Sequence, residues 1–185
     1  MKHLLLALLA FLILIYSAQA QNDSIPDPYL KHNELKLNAI FLIAGAFEIA
    51  YERNLNESSS VGISALLPFD DDININYYVS PYYRIFFGKK YAAGFFVEGF
   101  GMLNSITDDE LSFLSVGDDM VLRSREREYT DFALGVGLGG KWVTKRGILF
   151  ELSGGIGRNL FNNDENRDDS YEIVGKFSFS IGYRF

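Results

Sequence analysis

The sequence predicts an all-β fold, an antiparallel up-and-down barrel of eight strands. Period-two alternation of apolar with small or polar residues runs through eight segments, and connections of unlike length separate them. The composition agrees: 16 Phe, 11 Tyr and 17 Gly among 185 residues favour pleated strands and tight turns over helices.

The chain opens with an address rather than a strand. Lys2 and His3 precede Leu4 to Tyr16, an apolar run, and Ser17-Ala18-Gln19-Ala20 supplies an A-x-A pattern. This is the three-part layout of a secretory signal peptide at 1–20, with cleavage expected after Ala20. The run is shorter than the ~20 residues of a membrane-spanning helix. Residues 21–33, with Pro26 and Pro28 among polar neighbours, read as an extended leader, and 34–185 as the barrel.

The predicted strands are 35–43, 46–55, 59–68, 73–87, 91–105, 129–144, 147–160 and 172–185. The last is the clearest. Ile173, Phe177, Phe179, Ile181, Tyr183 and Phe185 alternate with Lys176, Ser178, Ser180, Gly182 and Arg184, the mark of two unlike faces. The fourth and sixth segments repeat the pattern. Ile40, Leu42 and Leu66 interrupt it in the first and third. Phe96 and Phe100 fall on the inward face of the fifth. Pro81 removes a ladder donor within the fourth, where a bulge or break is expected. After a very short first connection at Ala44-Gly45, short turns alternate with longer acidic ones, notably 106–128 and 161–171. Membrane barrels share that rhythm of short periplasmic turns and long outer loops.

Alternation alone leaves two barrels open: a soluble binding barrel with its apolar face inside, or a membrane barrel with it outside. Three features favour the second. The polar face is mostly Gly and Ser, which a narrow lumen requires and a solvated strand does not. Its charges balance: Lys36, Arg84, Lys141, Lys176 and Arg184 against Glu48, Glu52, Glu98, Asp131 and Glu151, as expected of a lumen ion network, since unpaired buried charge is costly. Aromatics gather at strand ends. With the first strand running outward, Tyr51, Tyr91, Trp142, Tyr183 and Phe185 fall at the periplasmic rim, and Tyr77 and Tyr171 near the outer one, like two interfacial girdles. In lipid every backbone amide needs a partner, and a closed barrel supplies one. The expected fold is therefore an eight-stranded antiparallel up-and-down transmembrane β-barrel.

On these residues the chain resembles small outer-membrane β-barrel proteins, the transmembrane barrels of OmpA and OmpX among them. Gly182-Tyr183-Arg184-Phe185 looks like the carboxy-terminal signal read by the barrel assembly machinery, with Tyr183 and Phe185 as its aromatics. Ala50-Tyr51-Glu52-Arg53 and Gly154-Gly155-Ile156-Gly157-Arg158 look like motifs of uncharacterised porin-like barrels. The resemblance implies a place in the cell outer membrane, where lipid and lipopolysaccharide are the expected partners and a monomer the expected state. The length leaves no second domain, so the peptidoglycan-binding domain that follows the barrel in OmpA is not expected here. It implies little about activity.

Chemistry is sparse in the sequence. Cys is absent, which excludes disulfides, thiolate metal sites and lipidated amino termini. The net charge of −7 argues against nucleic acid. Some small membrane barrels are acyl enzymes built on a His, but here the two His precede the first predicted strand, so no catalytic residue is expected. Gly135-Val136-Gly137-Leu138-Gly139-Gly140 opens no helix and is not a nucleotide loop. Asp164, Asn166 and Asp168 have calcium-loop spacing, but Asp169 and Gly175 stand where Gly and Glu are needed. Neither a metal nor a cofactor is expected. Arg158 shares the apolar face of its strand and, near the outer rim, is placed to meet a lipid phosphate. The leading reading is a structural or surface-interaction barrel with a side-chain-plugged lumen. The alternatives are a small porin or transporter of apolar solutes with a lateral opening near Pro81, a periplasmic lipocalin-like binder, and, last, a membrane-embedded hydrolase.

Overall fold

A computed structural model describes residues 31–70, 73–116, 119–161 and 172–185, with side chains described except at 108–127. The predicted signal peptide, most of the leader, Tyr171 and the Asp164–Asp168 cluster lie outside the described residues, as do the acidic side chains of 108–119.

The strands are β1 (Asn33–Asn38), β2 (Ala46–Asn56), β3 (Ser59–Pro68), β4 (Ile75–Phe86), β5 (Gly94–Val116), β6 (Asp119–Val143), β7 (Ile148–Asn159) and β8 (Ile173–Arg184). Each pairs with the next, and β8 returns to β1, closing an all-antiparallel up-and-down barrel. Both chain directions meet at the seam. Asn33 N–H donates to the Phe185 carbonyl at 3.0 Å, and Phe185 N–H to the Asn33 carbonyl at 2.8 Å.

Alternation decides which face is inside. On β8, Lys176, Ser178, Ser180 and Arg184 are buried, whereas Ile173, Phe177, Phe179 and Ile181 are exposed. On β6 and β7, Lys141, Glu151 and Ser153 point in, and Leu134, Val136, Leu138, Trp142, Phe150 and Leu152 point out. The apolar face is therefore the outer one all round, and charge is inside. Glycine on the β6–β7 wall has a steric reason. A Cβ at Gly139 would stand 2.5 Å from the Phe96 ring and 2.6 Å from the Leu152 carbonyl, and one at Gly155 3.0 Å from the Phe100 ring. The bare wall makes room for two phenyl rings projecting from β5.

The first predicted strand is corrected. β1 stops at Asn38, and Ala39–Ala44 form a six-residue helix, α1. Asn38 Oδ1 caps it, accepting from Ile40 N–H at 3.0 Å, and Gly45 ends it at φ 104°, a left-handed conformation suited to Gly. The residues that interrupted the alternation, Ile40 and Leu42, are helical. This also accounts for the short first connection, since the helix itself is the connection.

The fifth connection is corrected as well. Residues 106–116 and 119–128 continue β5 and β6 as one long hairpin, in register from Ile106↔Tyr129 to Val116↔Asp119. At Pro81 the β4–β5 ladder skips from Val79↔Leu103 to Tyr82↔Phe100 without a change of register, while the β4 irregularity lies at Ile75/Tyr77. The proline thus marks a break, and the register shift sits elsewhere. Finally, Tyr91 belongs to the β4–β5 turn rather than a strand. Ala92 there has φ 40°, and Ala92 and Ala93 are buried in the mouth of the barrel beside Phe86 and Phe96.

Candidate functional site

The lumen holds a mesh of ion pairs and hydrogen bonds to which all eight strands contribute, β3 through a serine hydroxyl. Glu52 of β2 is its centre and is fully buried. Its carboxylate accepts from Lys36 Nζ and Lys141 Nζ at 2.5 Å each, Arg84 Nη1 at 2.8 Å, Ser60 Oγ of β3 at 2.6 Å and Tyr82 Oη at 3.2 Å. Each cation reaches a further acid: Lys36 to Glu151 at 2.9 Å, Lys141 to Glu34 at 2.8 Å, and Arg84 to Glu98 and Glu151 at 2.7 Å each. Lys176 joins from β8 through Glu98 at 2.7 Å.

Arg184, the last residue of β8, closes the end of the barrel where β1 begins. It pairs with Glu34 at 2.6 Å and donates to the carbonyls of Tyr91 at 3.0 Å and Ala92 at 2.8 Å. One guanidinium thus ties β8, β1 and the inward-folded β4–β5 turn.

Aromatic faces complete the solvation of the cations. The Arg84 guanidinium lies 4.3 Å from the ring centroids of both Tyr82 and Phe96. Lys141 sits 4.7 Å from Phe86, and Lys176 lies 4.7 Å from Tyr82 and 5.0 Å from Phe100. Rings and carboxylates together replace water around charges that are otherwise expensive to bury. Such a network is stable only when every member is satisfied, because the low dielectric that strengthens a made bond also penalises a missing one.

The structure brings eight of the ten predicted lumen charges into this mesh: Lys36, Glu52, Arg84, Glu98, Lys141, Glu151, Lys176 and Arg184. Glu48 and Asp131 are also buried but have other donors. Asn38 Nδ2 serves Glu48 at 2.6 Å, and the backbone N–H groups of Phe132 and Phe161 serve Asp131 at 2.7 and 3.1 Å. Sequence reasoning missed Glu34, which stands two residues before Lys36 and so shares its face.

Of the rim residues, Tyr51, Trp142, Tyr183 and Phe185 lie at the end where β1 begins and β8 ends, with the 57–58 and 144–147 turns. Tyr51 Oη donates to Asn33 Oδ1 at 2.8 Å, Tyr91 Oη meets His32 Nδ1 at 2.8 Å, and Lys31 Nζ donates to Tyr183 Oη at 3.2 Å. Tyr77 lies toward the opposite end, paired with Ser105. Arg158 is 71% exposed and pairs with Glu172 at 3.1 Å.

An apolar cavity of about 190 Å³ lies above the mesh, toward α1, lined by Phe41, Tyr78, Met102, Val174, Gly175 and Phe177 among others. Among the described residues no cluster of His, Cys, Asp and Glu is arranged to hold a metal ion.

No protein-family model and no curated protein sequence matches the chain. Among solved structures it is similar to the N-terminal β-barrel domain of OprF from Pseudomonas aeruginosa, with a TM-score of 0.57 and 12% identity over 84% of this chain and 98% of that one. At that identity the likeness is one of fold.

Proposed function

We propose that the chain is an integral outer-membrane β-barrel protein with a structural or surface-interaction role, exported by a cleaved signal peptide, monomeric and without catalytic activity. One observation carries this reading: the distribution of polarity is inverted, with a paired-ion mesh inside and an apolar surface around the outside. Water gives no reason to expose Phe177, Phe179, Ile181, Leu134, Val136, Leu138 and Trp142 together, whereas hydrocarbon does. The barrel's likeness to the OprF outer-membrane domain supports the same location.

A lipocalin-like binder would need an apolar lumen, and the middle of this one is ionic. Eight strands leave an interior that side chains fill, and here Phe86, Phe96, Phe100, Tyr78 and Tyr82 are all buried among the ions. The lumen is on this reading a plug, and its cross-barrel ion pairs brace the wall. Lipopolysaccharide at the outer rim and the barrel assembly machinery, reading Tyr183 and Phe185, are the partners.

Cell fractionation followed by electrophoresis with and without boiling tests the location. The expected result is an outer-membrane band whose unheated form resists SDS and migrates apart from the boiled one. Recovery as a soluble periplasmic protein overturns it. Planar-bilayer recording tests the plug, and steps of porin size overturn that part.

A further inference from the structure

β1 is too short for the wall it closes. Its ladder with β8 runs from Glu34↔Arg184 to Asn38↔Ser180, and its ladder with β2 ends at Leu37↔Ile49. Beyond those pairs β8 continues back to Ile173 and β2 to Ala46. Among the described residues, no strand lies between these two stretches; α1 occupies the gap. Asn38 finishes the regular wall below it, with its side-chain amide donating to Glu48 at 2.6 Å and to the Phe177 carbonyl at 3.3 Å.

α1 fills the gap lightly. Its sequence, Ala-Ile-Phe-Leu-Ile-Ala, is apolar on every side, and none of its residues is buried. Ile43 is 88% exposed, which is costly in water and favourable in hydrocarbon. Phe41 turns the other way and lines the 190 Å³ cavity.

That cavity reaches both faces of the wall. Tyr78, Met102 and Val174 bound it from the lumen, while Phe177, which also borders it, is half exposed on the outer face. Between them Gly175 presents bare backbone: a Cβ there would meet nothing within 4 Å. The polar groups in the lining have partners already. Asn104 donates to Asn159 at 3.3 Å and Lys176 to Glu98 at 2.7 Å. What the cavity offers a ligand is therefore hydrocarbon contact. Its size is close to the ~150 Å³ cavity that takes one benzene and below the ~300 Å³ where drug-sized ligands begin.

We propose that this slot accepts the end of one acyl chain of a membrane lipid, entering sideways between α1 and β8. The surface continuous with the slot is the outward apolar belt, so on the membrane reading, on which this inference rests, lipid tails are what lie against it. The lateral opening falls at the β8–α1 gap, not at Pro81.

The test uses the mature chain refolded into phosphatidylcholine vesicles that contain a phosphatidylcholine with a diazirine at one acyl terminus. After photolysis, labelled positions are read by peptide mass spectrometry. The slot predicts adducts on the inward residues Met102 and Val174 as well as on the outward residues Leu103 and Ile156. Adducts on the outward residues alone overturn the slot and leave the membrane reading standing. Absence of adducts from both sets overturns the membrane reading and the slot with it. In Val174→Trp the indole fills the slot, and labelling of Met102 should fall by about tenfold, equivalent to ~1.4 kcal/mol, with Leu103 unchanged. Undiminished Met102 labelling overturns the proposal. Gly175→Leu, which obstructs the slot from the outer face, carries the same expectation if the tryptophan variant does not fold.

Discussion

Replacing Glu52 by Gln removes the charge that three cations share and leaves the side chain nearly the same size. Removing one partner of a buried ion pair typically costs about 3–5 kcal/mol, because the other charge stays buried without its counter-ion. Here the effect belongs at the lower end. Lys36 keeps Glu151 at 2.9 Å, Lys141 keeps Glu34 at 2.8 Å, and Arg84 keeps Glu98 and Glu151 at 2.7 Å. The expected loss is about 3 kcal/mol. The internal control is Glu172→Gln, which breaks a pair whose members are 71% and 38% exposed and should cost less than about 1 kcal/mol. Urea titration of the protein in lipid vesicles, with the folded fraction read by unheated electrophoresis, compares the two. Adding Lys141→Met to Glu52→Gln removes one surplus cation beside the Phe86 ring and should recover at least about 1 kcal/mol, a coupling normal for neighbours in one network. A Glu52→Gln loss no greater than that of Glu172→Gln would refute the idea that the lumen charges brace the barrel.

Gly139→Val should destabilise by about 1–3 kcal/mol through overpacking, since Phe96 and the Leu152 carbonyl already occupy the space; Gly99→Ala, where nothing lies within 4 Å, should be near neutral in the same titration. Phe185→Ala keeps both backbone bonds to Asn33, so refolding into vesicles should be unchanged while assembly in cells slows. Equal defects in both measurements would remove the terminal aromatic's role as an assembly signal. Arg158→Ala should weaken retention of lipopolysaccharide through purification, and unchanged retention would discard that contact.

Much of the fold was legible because a barrel wall has two solvents, and each strand records both. The odd positions of β8 and the even positions of β1 needed only a period of two. The mesh was legible for the same reason, with charge set at every second position among Gly and Ser. Glu34 was missed through placing the start of β1 at 35, two residues after Asn33 where it begins, although its spacing from Lys36 was visible. α1 was missed for a different reason. Six apolar residues carry no period, so helix and strand look alike; Asn38 before them and Gly45 after were the capping signals. The β5–β6 extension was read as a loop because its apolar alternation fades. Its register instead sets Asp108 opposite Arg127, Asp109 opposite Glu126 and Glu110 opposite Arg125, a run of charged pairs in which apolar periodicity has nothing to read. Which acids would be met by amides and which by cations was beyond reach of the sequence, since cross-lumen partners depend on barrel shear.

Trp142 is the chain's single tryptophan and is 60% exposed on the outward face, near the rim at the 144–147 turn. Its fluorescence in vesicles made with brominated phosphatidylcholine tests directly whether that face meets lipid. The inverted barrel predicts strong quenching, greatest for bromines placed near the headgroup, with weak quenching by aqueous iodide. Emission indifferent to brominated lipid and freely quenched by iodide would contradict it.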